Sequence, residues 1–229
     1  MGPEPLILSW SGGKDSALAL DALRASGEHA PIVLLTSVTA GYDRISIHGV
    51  RRELLRAQVE ALGLPLHELT LQPECSNEAY DAALATALEA LRARYGARRV
   101  AFGDLFLEDV RRYREERVGA LGFEPVFPLW GMDTAALAGS FIARGFQARL
   151  VCVDTTQLDA RFTGRAYDAA LLDDLPRTVD PCGENGEFHT FVTAGPGFDT
   201  AVAYDVGEVV LRGGRFAYCD LVPSAPELS

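Results

Sequence analysis

Apolar residues fall into two alternating rhythms along the first half of the chain. Short runs at Pro5 to Trp10, Ala30 to Val38, Leu64 to Leu71 and Arg98 to Phe102 have the length and branched content of buried strands. Between them lie segments with helical spacing: about Asp15 to Ala25, stopped by Gly27; Gly49 to Leu62, with Leu55, Val59 and Leu62 on one face; and Asn77 to Tyr95, with alanine on its buried side. Glu108 to Ala120 reads as a further helix and Glu124 to Phe127 as a further strand. Strands that alternate with helices predict right-handed βαβ units and a parallel, doubly wound sheet.

The turn signal Pro128-Leu129-Trp130-Gly131 marks an expected boundary, placed between residues 128 and 129. Beyond it come a helix from Asp133 to Arg144 and a strand from Gln147 to Asp154. Phe188 to Val192 and Val206 to Arg212 then look antiparallel, with Gly213-Gly214 as a hairpin turn. The expectation is an α/β fold, a doubly wound parallel sheet over residues 1–128 followed by a smaller C-terminal α+β domain over 129–229.

Composition narrows the function. With 48% hydrophobic and 23% charged residues the chain is a folded protein, not a disordered one. Thirty-two acidic against 21 basic residues give a net charge of -11, which repels nucleic-acid phosphate and disfavours DNA or RNA as a partner. No apolar run is long enough for a membrane span, and the four cysteines contain no C-x-x-C pair, so reduced thiols in a cytoplasmic protein are expected. Of the 21 basic residues, Lys14 is the one lysine. It stands inside a glycine turn, where a compact ammonium differs most from a guanidinium fork.

That turn is Ser9-Trp10-Ser11-Gly12-Gly13-Lys14-Asp15-Ser16, between the first strand and the first helix. In an open parallel sheet, ligands bind beyond the carboxyl ends of the strands. Two glycines let the backbone approach a ligand closely, helix-start N–H groups face an anion, and Ser9, Ser11, Ser16 and Lys14 add donors. The stretch has the parts of a phosphate cradle, although it has neither the Walker A nor the dinucleotide-binding spacing. His48, before the second helix, is a candidate nucleotide contact; a lone histidine is more often a cap or a packed residue.

The motif S-G-G-K-D-S after a first strand resembles the signature of the PP-loop ATP pyrophosphatases, of the adenine nucleotide alpha hydrolase-like superfamily. Downstream blocks resemble the diphthine–ammonia ligase family: Gly103-Asp104, the Asp109-Arg112-Arg114-Glu116 block, Pro128 to Gly131, and Cys182-Gly183-Glu184-Asn185-Gly186-Glu187 followed by Thr190. Two positions depart from the family pattern, Asn185 where a glycine is usual and Thr134 where a glutamine is frequent.

The resemblance implies an HUP-like fold and an enzyme that adenylates a carboxylate with ATP and Mg2+, forms an amide with ammonia, and releases AMP and pyrophosphate. It implies Lys14 and Asp15 in catalysis and Gly103, Asp104, Arg112 and Arg114 around the nucleotide, with Asp15 or Asp104 on the metal. Glu184 and Glu187 are implied as collectors of ammonium and as bases. The acceptor is left as a carboxylate on a small molecule or a modified protein side chain, and self-association is left open. A nucleotide sensor without turnover is the competing reading, against which the Glu184/Glu187 block speaks.

Overall fold

The computed structural model describes residues 2–46 and 48–224. The chain divides into two compact units. One comprises the chain up to Ser11, Asp15–Ser46 and Leu64–Gly131; the other comprises Gly12–Lys14, the segment ending at Gly63, and the chain from Met132 onward.

The first unit holds strands β1 (Glu4–Ser9), β2 (His29–Thr39), β3 (Arg44–Ile45), β4 (Leu66–Leu71), β5 (Arg99–Ala101) and β6 (Glu124–Val126). Five of them run parallel in the order β4-β2-β1-β5-β6, and the short β3 pairs antiparallel with the end of β2. The sheet is therefore doubly wound, and its order reverses between β1 and β5. That switch point is where such sheets open a crevice. Helices α1 (Lys14–Ser26), α3 (Asn77–Tyr95) and α4 (Glu108–Ala120) supply the crossovers. Buried Ile7, Val33 and Val100 of the sheet share a core with Leu88 and Leu91 of α3 and Val118 of α4.

The second unit is built on an antiparallel sheet ordered β8-β7-β10-β9, from β7 (Gln147–Asp154), β8 (Phe188–Ala194), β9 (Tyr204–Arg212) and β10 (Phe216–Pro223). It also contains α2 (Arg52–Ala61), α5 (Thr134–Ala143), a single 3-10 turn at Ala160–Phe162 and α6 (Ala169–Asp174). Phe141, Phe162, Phe188 and Phe191 fill its core. All four cysteines are free thiols. Among the described residues no helix is long and apolar enough to cross a membrane.

Helix α2 starts at Arg52, not at Gly49, because Gly49 sits in a left-handed turn against the Tyr218 ring. The short β3 and α6 carry too few residues for a periodic signal and have no counterpart in the sequence reading.

Candidate functional site

In the first unit, Leu6, Ile7 and Leu8 of β1 lie in register with Arg99, Val100 and Ala101 of β5. The turns that leave both strands therefore emerge on one edge, at the switch point. Ser9 closes β1 opposite Leu35, and the buried Trp10 continues the pairing: its N–H donates to Leu35 O at 2.8 Å and its carbonyl accepts from Thr36 Oγ1 at 2.8 Å. The Ser11 and Ser16 hydroxyls are 3.3 Å apart. A Cβ on Gly103 would lie 3.0 Å from the carbonyl of Asp15 and 3.2 Å from Ser16 N, so the turn after β5 is pressed onto the start of α1 and a larger residue would push on that backbone.

The arginines of α4 have separate roles. Arg114 binds Asp104 at two points, Nε to Oδ2 at 2.6 Å and a terminal nitrogen to Oδ1 at 3.3 Å, with its guanidinium 4.6 Å over the Phe102 ring. Arg111 lies over Phe127 and Trp130, and Arg117 pairs with Asp81. Arg112 is exposed and makes no ion pair among the described residues. Of the two arginines singled out in the sequence, Arg114 thus joins Asp104 and Arg112 does not.

In the second unit, Gly12–Lys14 runs beside β8. Val192 N–H donates to Gly12 O at 2.9 Å, and Lys14 N–H donates to Thr190 Oγ1 at 3.0 Å. Gln58 of α2, fully buried, donates its amide to Gly12 O at 3.0 Å and to Val192 O at 2.6 Å. Gly12 has φ +80, and a Cβ there would meet Gln58 Oε1 at 3.0 Å and the Phe191 ring at 3.2 Å. In a trans peptide the carbonyl and the following N–H point in opposite directions. Clamping Gly12 O onto β8 therefore turns the Gly13 N–H away from that strand.

The Lys14 side chain is buried, and its ammonium donates to the carbonyl of Cys182, with the Phe188 and Tyr167 ring centroids at 5.6 and 6.0 Å. The Cys182–Glu187 loop is tied to itself by two carboxylates. Asp180 Oδ1 accepts from Cys182 N at 2.8 Å and from Glu184 N at 3.3 Å. Glu187 Oε1 accepts from Asp180 N at 2.9 Å and from Asn185 Nδ2 at 3.0 Å. Glu187 is only 2% exposed, and its Oε2 is buried with no hydrogen-bond partner among the described residues. Glu184 is half-buried. Asn185 does not take a left-handed backbone, which Gly183 and Gly186 do; its contribution is the amide bond to Glu187. Cys182 is buried, its thiol donating to Thr134 O.

His48 donates from Nδ1 to Thr190 O at 3.2 Å, and its ring lies 4.7 Å from that of His189. Burial, then the neighbouring His189 and Lys14, push His48 down to about 3. Burial and Lys14 push His189 down to about 4. Both rings are therefore neutral at physiological pH. No cluster of three or more acidic, histidine or cysteine side chains capable of caging a metal occurs among the described residues.

Known proteins place this chain. Residues 5–124 match the diphthamide synthase N-terminal domain and residues 133–213 match the diphthamide synthase C-terminal domain, in that order. The chain belongs to the diphthamide synthase family. Relatives named diphthine–ammonia ligase include one from Danio rerio, 29% identical over 88% of this chain and 87% of its own length, and one from Homo sapiens, 26% identical over 88% and 83%. A solved structure described as a predicted subunit of tRNA methyltransferase, from Methanocaldococcus jannaschii, overlaps with a TM-score of 0.41 at 20% identity, covering 65% of this chain and 78% of that one. The Lys14 turn and Gly103-Asp104 lie in the part that matches the first family domain, and Cys182–Glu187 in the part that matches the second.

Two residues of this site escape a motif search. Gln58 and His189 belong to no block that resembles the family. Gln58 leaves one trace: it stands three residues after Leu55 and four after Leu54, a polar side chain in a slot that the helical period assigns to the core.

Proposed function

We propose that this protein is an ATP-dependent ligase that joins ammonia to a carboxylate, releasing AMP and pyrophosphate. The observation that carries the reading is the Lys14 ammonium, buried on the carbonyl of Cys182, in a glycine turn whose backbone is clamped by Gln58 and Thr190. An ammonium is a compact charge with three N–H donors, a set suited to phosphate oxygens. Residues 1–128 would supply the nucleotide-binding part and residues 129–229 the acceptor part.

In the proposed reaction an acceptor carboxylate oxygen attacks the α-phosphorus, and the bond to the oxygen bridging α and β breaks. Pyrophosphate leaves with its charge stabilised by Lys14 and by the turn's amide groups, aided by Ser9, Ser11 and Ser16. Ammonium gives up one proton to a Glu184 or Glu187 carboxylate, its nitrogen attacks the acyl carbon, and the bond to AMP breaks as the nitrogen loses a second proton to the other carboxylate or to water. Glu187 suits the binding of ammonium because a buried carboxylate oxygen with no donor is costly until a cation or proton reaches it. Glu184 is the second carboxylate of that task. His48, neutral and fixed on Thr190, is assigned to the nucleotide side.

Magnesium takes one or two carboxylates and otherwise phosphate oxygens and water, so Asp15 and Asp104 are the side chains that would hold it beside the nucleotide. Asp104 would contribute from within its pair with Arg114, and Asp15 from the first turn of α1. When bound, magnesium would neutralise charge on the departing phosphates.

The test incubates the purified protein with ATP, magnesium, labelled ammonium and candidate carboxylates, beginning with diphthine, the acceptor in the relatives' names. AMP, pyrophosphate and labelled amide should form in equal amounts, and only with all components present. Release of ADP, or AMP formation indifferent to ammonium and carboxylate, would contradict the reading.

A further inference from the structure

Strand β9 ends its sheet, hydrogen-bonded to β10 on one side only among the described residues. It nevertheless exposes three large apolar side chains, Val206 at 48%, Val209 at 51% and Leu211 at 57%. Register explains why they stand together. Val209 is opposite Cys219 and Leu211 opposite Ala217, and after a bulge at Gly207 and Glu208, Val206 is opposite Leu221. Cys219, Ala217 and Leu221 are all buried. The inner face of the sheet is thus covered over β10 and bare over β9.

An open edge carries unpaired backbone groups that another strand can take up. The end of β9 is also self-complementary. In Glu208-Val209-Val210-Leu211-Arg212 the two charges are opposite in sign and equally distant from Val210, with an apolar residue inside each. Neither charged side chain makes an ion pair within the chain among the described residues. Two copies related by a two-fold axis perpendicular to the sheet keep each side chain on its own face. An antiparallel pairing centred on Val210 then sets Glu208 opposite Arg212 twice and Val209 opposite Leu211 twice. Centring the pair on Glu208 instead opposes like charges, and centring on Leu211 brings the turn glycine Gly213 into the ladder.

We propose that the partner of this edge is a second copy of the same chain, joined β9 to β9 about Val210 into one eight-stranded sheet. Cross-strand opposite charges stabilise such pairs and like charges destabilise them. Sedimentation equilibrium on the full chain tests it. Wild type should dimerise. Glu208→Arg and Arg212→Glu should each weaken dimerisation about tenfold or more, because symmetry turns two attractions into two repulsions. The double reversal, Glu208→Arg with Arg212→Glu, should restore it. Thermal unfolding of each variant separates loss of association from loss of fold. A wild-type chain that stays monomeric at concentrations of about 100 μM, typical of weak associations, would overturn the proposal. So would a dimer indifferent to the single reversals, or failure of a folded double variant to re-associate.

Discussion

Gly12 and Gln58 hold each other in place, and the predictions at residue scale start there. Adding a methyl group at Gly12 forces a left-handed backbone on alanine and presses Cβ on the Gln58 amide. Gly12→Ala should destabilise by about 1–2 kcal/mol, the cost of left-handed geometry, and raise the KM for ATP more than that for ammonium. Gln58→Met keeps the volume but strands the Val192 carbonyl, so unfolding free energy should fall by about 1–3 kcal/mol. ATP titrations alongside urea denaturation would check both; unchanged ATP affinity in a folded Gln58→Met would remove Gln58 from the account. The histidines predict a pH dependence. Their folded values near 3 and 4 lie below the ordinary value of 6.5, so the unfolded chain binds more protons between those limits. Stability should rise with pH across that window and fall as pH drops from about 6.5 toward 4. His189→Phe should flatten the slope, measured as urea midpoints from pH 4.5 to 7. The sequence made Lys14 conspicuous as a solitary lysine among arginines. It gave no hint that the ammonium rests on Cys182 O, because that contact joins residues 168 positions apart.

At the scale of elements, the readable parts were those with local punctuation. Helix α3 runs from Asn77 to Tyr95 as its signals predict, with the Ser76 side chain accepting from Ala79 N and Gly96 closing it in a left-handed turn. Helix α4 and strand β7 also match their expected limits. Pairing partners were not readable, since nothing local tells β1 that β5 lies beside it. Strand β7 shows the consequence. Its last residue, Asp154, is 1% exposed, takes both oxygens into Arg215 and also accepts from Thr156 and Gln157, which hold its carboxyl well below the usual range. Its N–H donates to Glu187 O. One aspartate therefore ties β7 both to the residue before β10 and to the proposed ammonium site. Asp154→Ala should lower stability by about 2 kcal/mol, the worth of a buried charged hydrogen bond. Alanine keeps the N–H that reaches Glu187 O, so the KM values for ammonium and for ATP should both stay close to wild type. Calorimetry and steady-state kinetics on the same sample check both expectations.

For the whole molecule, the expected α/β plan holds in its two sheets, one mostly parallel and doubly wound, the other separate and antiparallel. The units are not simple halves of the sequence: Gly12–Lys14 and the segment with α2 group with the C-terminal part. Hydrophobic period identifies elements but is blind to such grouping, which depends on long-range partners such as Thr190 for Lys14 and Val192 for Gly12. The loop that carries Lys14 is the centre of the account, and exchange of labelled pyrophosphate into ATP in the presence of the acceptor tests it most directly. Wild type should exchange label, and Lys14→Ala, shown by thermal unfolding to be folded at the assay temperature, should lose about 3 kcal/mol of transition-state stabilisation, more than a hundredfold in rate. Equal exchange by a folded Lys14→Ala variant would contradict the account.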